Sequence, residues 1–389
     1  MKYKTILAAL LLHICVGSVY GWSCVLLPIV NQYGYTIAAT QFCFSLAIFF
    51  LGTNTCFLGP YIEKYGAKKA ASIAAILVLI GMTGTGIALY TTILGTYTIY
   101  LIYVFYGIIF GSGVGIAYLA PISALLAASD KHKALASAVA IFGFGLGSLI
   151  FAPVATILIN YYSIPLMFII LGSIYGICML ISANLFDNTY TIVKQRSQGV
   201  TRSEAIHNKV FYYLWFIIFI NIFCGISLIS VTAPMSQQLA LLSNHESAIL
   251  VATVGLLNGF GRLLWAHVSD IIGRIKAYKY IFGIQIMVCL ILLNINITYV
   301  YICGILILAT TYGAGFSMLP ALCTDIFGYK HVSAIHGAVL FSWAIAGITG
   351  PLCIIGLYMI FNTYISIFPI LILLFIIAFI LTTKLKKIY

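Results

Sequence analysis

The chain has 389 residues, 63% of them hydrophobic and 7% charged, with 19 Lys and Arg against 7 Asp and Glu for a net charge of +12. Soluble domains carry about 25% charged residues. With a mean hydropathy of +1.14, this sequence has too little polar surface to remain in water, so soluble domains are excluded. In chain order, apolar runs fall near 6–30, 38–60, 70–90, 96–121, 133–160, 165–186, 211–236, 247–268, 277–297, 299–323, 333–360 and 363–383. Each is long enough to cross roughly 30 Å of hydrocarbon at about 1.5 Å per residue. The expected fold is therefore an all-α membrane protein with twelve transmembrane helices.

The cations fall on one side of that threading. Lys2 and Lys4 lie at the N-terminus, and Lys64, Lys68 and Lys69 in the second connection. Lys131 and Lys133 lie in the fourth connection, and Lys194, Arg196, Arg202 and Lys209 in the sixth. The eighth region holds Arg262, Arg274, Lys276 and Lys279, the tenth Lys330, and the tail Lys384, Lys386 and Lys387. The odd connections hold none. By the positive-inside rule both termini are cytoplasmic. The expected setting is a bacterial inner membrane or plasma membrane, with multiple passes. The positive charge then reflects topology and anionic headgroups, not nucleic acid. Thr5–Val30 is too long for a signal-peptide core and reads as the first span. The ten Cys are scattered without a CxxC pair, which points away from a zinc site or a disulfide framework.

A weak internal repeat recurs at an offset of roughly 200 residues, six spans apart. Gly59, Glu63, Gly66 and Lys69 match Ala266, Asp270, Gly273 and Lys276. Gly113, Gly115 and Pro121 match Gly313, Gly315 and Pro320, and Pro153 lies near the register of Pro351. The chain thus divides into a six-helix half at 1–187, a cytoplasmic linker at 188–210 and a second six-helix half at 211–389. Halves related by an axis along the membrane normal hold their binding site between them, near the midplane.

GPYIEKYGAKK (59–69) and AHVSDIIGRIK (266–276) resemble the cytoplasmic signature of the major facilitator superfamily. Glu63 stands for the usual Asp, and Ala266 for a usual Gly. The resemblance implies that Glu63, Gly66, Lys69, Asp270, Gly273 and Arg274 hold the inward-closed state. GSVYGWSCVLLPIVNQYGYT (17–36), GVGIAYLAPIS (113–123), GFGLGSLIFAPVA (143–155), LLNGFGRLLWAHVSDIIGR (256–274) and SAIHGAVLFSWAIAGITGP (333–351) resemble the oxalate/formate antiporter branch, close to the monocarboxylate porters. That branch implies a carrier of small carboxylates that rocks two halves about a central site.

Arg262 precedes Asp270 by eight residues, about 12 Å inside the motif along a helix. It is the one Lys, Arg, Asp or Glu that the threading puts deep in a span, where an arginine costs roughly 2.5–3.5 kcal/mol or more. Its planar fork fits a carboxylate, and in the resembled branch the Arg at this place binds one. The alternative is a side chain that snorkels to the cytosol and braces the loop. Span eleven has no Lys, where oxalate porters of the branch carry one, so a monocarboxylate of the formate, lactate or pyruvate kind fits better than a dianion. Asn258 stands where proton-linked porters often place an Asp. His13 and His336 are then the intramembrane candidates for proton coupling, with packing as the alternative role.

Tyr20, Trp22, Tyr118, Tyr312, Phe316 and Trp343 are candidate walls of the site, although with 27 Tyr and 25 Phe any one of them is equally a packing residue. Pro121, Pro153, Pro320 and Pro351 can kink their helices. Small residues at i, i+4, such as Gly107–Gly111 and Gly143–Gly147, let helices approach closely. The expected function is secondary transport by antiport or proton symport, without cofactor or metal, by a carrier that works as a monomer in the bilayer. The alternatives are the same fold carrying an amino acid, drug or neutral nutrient, or a non-transporting receptor. An enzyme is disfavoured because the seven acids lie at or near span ends and no acid/base cluster shares a span.

Overall fold

The computed structural model of the chain describes residues 3–58, 61–62, 65–92, 94–128, 133–186, 199–328 and 331–388. Twelve helices among them are long and apolar enough to cross a membrane. Spans 1 to 6 are Lys4–Gly21, Ile37–Phe57, Ala67–Thr91, Gly95–Pro121, Phe142–Tyr161 and Ile164–Leu185. Spans 7 to 12 are Lys209–Ser230, Asn244–Ile272, Arg274–Asn294, Thr298–Phe327, Ala334–Phe361 and Tyr364–Leu385. With an even number of crossings, both termini lie on one face, called here the terminal face.

Span ends follow local chemistry. Thr36 and Ser163 accept hydrogen bonds from the backbone of Ala39 and Leu166, and Ser243 forms a capping box with Glu246. Gly66 and Gly273 begin spans 3 and 9 at φ +85° and +88°, a left-handed backbone that only glycine adopts without strain. The two turns occupy corresponding places in the repeat.

Three spans are less regular than a continuous apolar run suggests. Span 1 passes from Tyr3–Gly17 through a 3-10 turn at Ser18–Gly21 and continues as Ser23–Tyr33. Span 4 contains a π-helix at Tyr103–Phe110. Span 7 breaks at Val231, and Thr232–Leu239 carries it on. Pro121, Pro153, Pro320 and Pro351 lie inside helices.

Span 2 packs along span 11, and span 5 along span 8. These two seams join the first six spans to the last six. Span 3 pairs with span 6 and span 9 with span 12, on the periphery. Their outward faces expose Ile76, Ile80, Ile174, Ile177, Ile376 and Ile380, an apolar surface suited to lipid tails. On the terminal face, Val200 donates to the Phe327 carbonyl at 3.0 Å. The short helix Arg202–Ile206 follows, and Arg202 reaches Cys56 Sγ at the end of span 2.

Candidate functional site

Span 8 carries the one deep cation of the sequence reading, and its packing directs that side chain inward. Gly261 abuts the Thr310 backbone, and Gly313 abuts the Asn258 carbonyl. Asn258 Nδ2 also donates to the Ala309 carbonyl at 3.3 Å. Spans 8 and 10 therefore touch backbone to backbone, and Arg262 extends into the space between the two sets of six. It is 0% exposed, and so does not snorkel to either face.

Aromatic rings hold the guanidinium. Its Cζ lies 5.6 Å from the ring centre of Phe144 on span 5 and 5.2 Å from that of Phe316 on span 10. Contacts of this kind contribute about 0.5–2 kcal/mol, more where desolvated. The rings continue around it: Phe316 meets Trp343 at 4.6 Å, Trp343 meets Tyr118 at 5.2 Å, and Tyr20 meets Phe144 at 5.0 Å. The Tyr20 and Tyr312 hydroxyls are hydrogen-bonded at 3.0 Å, a polar link between span 1 and span 10. His13 borders this cluster, edge-on to Tyr118 at 5.7 Å and Phe144 at 6.3 Å, with Nδ1 held by the Ala9 carbonyl. Trp343 Nε1, His13 Nε2 and Asn258 Oδ1 are buried without a hydrogen-bond partner among the described residues. A permanent cation, hydroxyl and indole donors, and apolar ring faces together suit a small organic anion: its charge against the guanidinium, its hydrocarbon part against the rings.

The family model described as Major Facilitator Superfamily matches residues 9–351. The chain belongs to the major facilitator superfamily. Members of this superfamily are transporters rather than enzymes, and the twelve spans make this one an integral, multi-pass membrane protein. The chain is similar to the oxalate:formate antiporter of Oxalobacter formigenes, 26% identical over 349 residues that cover 88% of this chain and 80% of that one. It is also similar to apicoplast pyruvate carrier 1 of Toxoplasma gondii, 23% identical over 60% of this chain and 55% of the carrier. Monocarboxylate transporter 12 of Xenopus laevis is 22% identical over 64% of this chain and 61% of that one.

Within this major facilitator chain, Tyr20, Tyr118, Tyr312, Phe316 and Trp343 gather round Arg262, and Asn258 ties span 8 to span 10. Two of the sequence candidates stand apart. Trp22 packs on Tyr106 at 4.6 Å, inside the first six spans, because residues two apart on a helix point to opposite sides. His336 is partly exposed and lies seven residues, about 10 Å, from Trp343 along span 11. Phe144 was not singled out from the sequence. It lies within GFGLGSLIFAPVA, and only the crossing of spans 5 and 8 brings it to Arg262.

At the terminal face, Arg274 bonds Asp270 at 3.3 Å and Asp325 at 3.1 Å. It thereby links the end of span 8, the start of span 9 and the end of span 10. Asp325 is an addition to the predicted gating set. Lys69 lies over the Tyr65 ring at 4.6 Å. Glu63 lies outside the described residues.

Proposed function

We propose that the chain is a secondary carrier of a small monocarboxylate, with Arg262 as the group that binds the carboxylate. The observation that carries this reading is the fully buried guanidinium clamped between Phe144 and Phe316 where six spans meet. An arginine fork takes a carboxylate through two parallel, charge-assisted hydrogen bonds. Tyr20, Tyr118, Tyr312 and Trp343 supply the remaining donors and the apolar walls. One deep cation balances one negative charge, which favours formate, lactate or pyruvate over oxalate. The named cargoes of the three relatives support the carboxylate class.

Transport then proceeds by rocking 1–187 against 211–389 about this site, with 188–210 as the linker and the terminal face cytoplasmic. Substrate shifts the balance between states by binding them unequally. The test is counterflow into preloaded liposomes across formate, lactate, pyruvate, oxalate and a neutral amino acid. Saturable exchange of a monocarboxylate is expected, with oxalate weaker and the amino acid inert. Counterflow of the neutral compound alone would overturn the reading. Running it at two pH values separates exchange from proton cotransport, for which the His13 imidazole is the group bordering the cluster.

In the same scheme, Arg274 with Asp270 and Asp325 steadies closure of the terminal face. Both partners of the Arg274–Asp325 pair are about one-third exposed, so Asp325→Asn is expected to cost about 0.2–1 kcal/mol. That corresponds to a shift of up to about five-fold toward opening on that face. The readout is the N-ethylmaleimide labelling rate of Cys56 at the end of span 2, with the other nine cysteines replaced. An unchanged rate would remove Asp325 from the gate.

A further inference from the structure

The two seams between the first six and last six spans differ in chemistry on the face opposite the termini. On the span 5/8 seam Ser148 lies against Gly255, its buried hydroxyl without a hydrogen-bond partner among the described residues, and beyond it the seam is apolar. Leu149 and Ala152 of span 5 close with Val251 and Ala252 of span 8 and with Cys24 and Ala233 into an apolar cluster. On the span 2/11 seam, Ile48 lies against Gly347, and Gly52 against Ala344. Seven and eleven residues before Gly52, on that same face of span 2 at about 3.6 residues per turn, stand Ser45 and Gln41. The corresponding places on span 8, counted back from Gly259, are Ala252 and Ala248.

Gln41 and Ser45 are both 0% exposed. Neither amide atom of Gln41, nor the Ser45 hydroxyl, has a hydrogen-bond partner among the described residues. Buried polar groups are almost always paired, because leaving them unpaired costs their full hydration. Two such side chains, one above the other along a seam that must part, gain partners when it parts.

We infer that Gln41 and Ser45 form an outer carboxylate subsite on the span 2/11 seam, occupied on the way between the outer face and Arg262. The subsite rests on the carboxylate reading above. The amide N–H groups and the hydroxyl donate to the carboxylate oxygens. Neutral donors hold an anion less tightly than a guanidinium does, so the anion passes inward. The apolar cluster keeps water and anion from the span 5/8 seam, and entry is one-sided.

Two measurements test this. In a variant with all ten cysteines replaced by serine and uptake retained, Ser45→Cys and Gln41→Cys are compared with Ala252→Cys. The probe is the impermeant anion 2-sulfonatoethyl methanethiosulfonate, applied to intact cells. Labelling at Ser45→Cys and Gln41→Cys is expected to be at least ten-fold faster than at Ala252→Cys; equal rates overturn the subsite. With a carboxylate that the parent transports, Gln41→Leu is expected to raise the external KM at least five-fold and to leave kcat and the internal KM unchanged. An unchanged external KM overturns the subsite and leaves the carboxylate reading standing. A parent that transports no carboxylate overturns both.

Discussion

Arg262→Ala is expected to abolish saturable carboxylate counterflow while the protein still inserts and folds. Each hydrogen bond to a charged group contributes about 1.5–3 kcal/mol, and the fork makes two. Every 1.4 kcal/mol is a factor of ten in affinity, so the loss exceeds about a hundred-fold. Insertion moves the other way, because a deep arginine costs several kcal/mol on its own; its removal relieves that cost. The loss of transport is therefore expected in a variant with parental expression and an unaltered elution profile. Arg262→Lys separates charge from geometry. It keeps the cation but replaces a planar fork with a point charge, and uptake is expected at an intermediate level, with KM raised more than kcat is lowered. Full counterflow in Arg262→Ala would end the site assignment and send the search for an anion site elsewhere.

The sequence was most informative where a residue was out of place for its surroundings. Twelve spans follow from the length of the apolar runs, since a bilayer admits few alternatives. Arg262 stood out because a cation eight residues inside a loop motif has to be deep. The aromatic neighbours were less legible. Tyr20, Tyr118, Tyr312, Phe316 and Trp343 gather at the site, but Trp22, two residues from Tyr20, points away from it, as helical geometry requires. Phe144 carried no signal of its own: among 25 Phe, its role depends on a crossing with span 8 that no local pattern encodes. Asp325 was visible only as an acid near a span end. Its pairing with Arg274 depends on spans 8, 9 and 10 meeting at one corner. The 3-10 turn in span 1 and the π-helix in span 4 were also hidden, because hydropathy reads apolar length and is blind to hydrogen-bond register.

The seams beside Arg262 also explain why the second large effect is expected from residues without side chains. A Cβ added at Gly145 would lie 2.5 Å from Gly259 Cα and 2.7 Å from the Gly255 carbonyl oxygen. All of these are backbone atoms, which cannot rotate away. Ordinary carbon contacts are about 3.5–4.0 Å, so even alanine requires the spans to separate by about 1 Å. Gly52 meets the Ala344 backbone nitrogen equally closely, at 2.4 Å from its would-be Cβ. Gly52 stands to Gly259 at the same offset that relates Gly66 to Gly273. The two crossings are thus equivalent, and they hold the first six spans against the last six on either side of the arginine. Overpacking costs about 1–3 kcal/mol, and here it falls on the arrangement in which the two sets of six touch. Gly145→Val and Gly52→Val are each expected to lower the counterflow rate more than ten-fold, and the alanine variants several-fold. Gly283→Ala and Gly356→Ala, where an added Cβ meets nothing within 4 Å, are expected to transport at the parental rate. Each variant is compared at equal incorporation into liposomes. Parental rates in Gly145→Val would mean that the carrier cycles without bringing these backbones together.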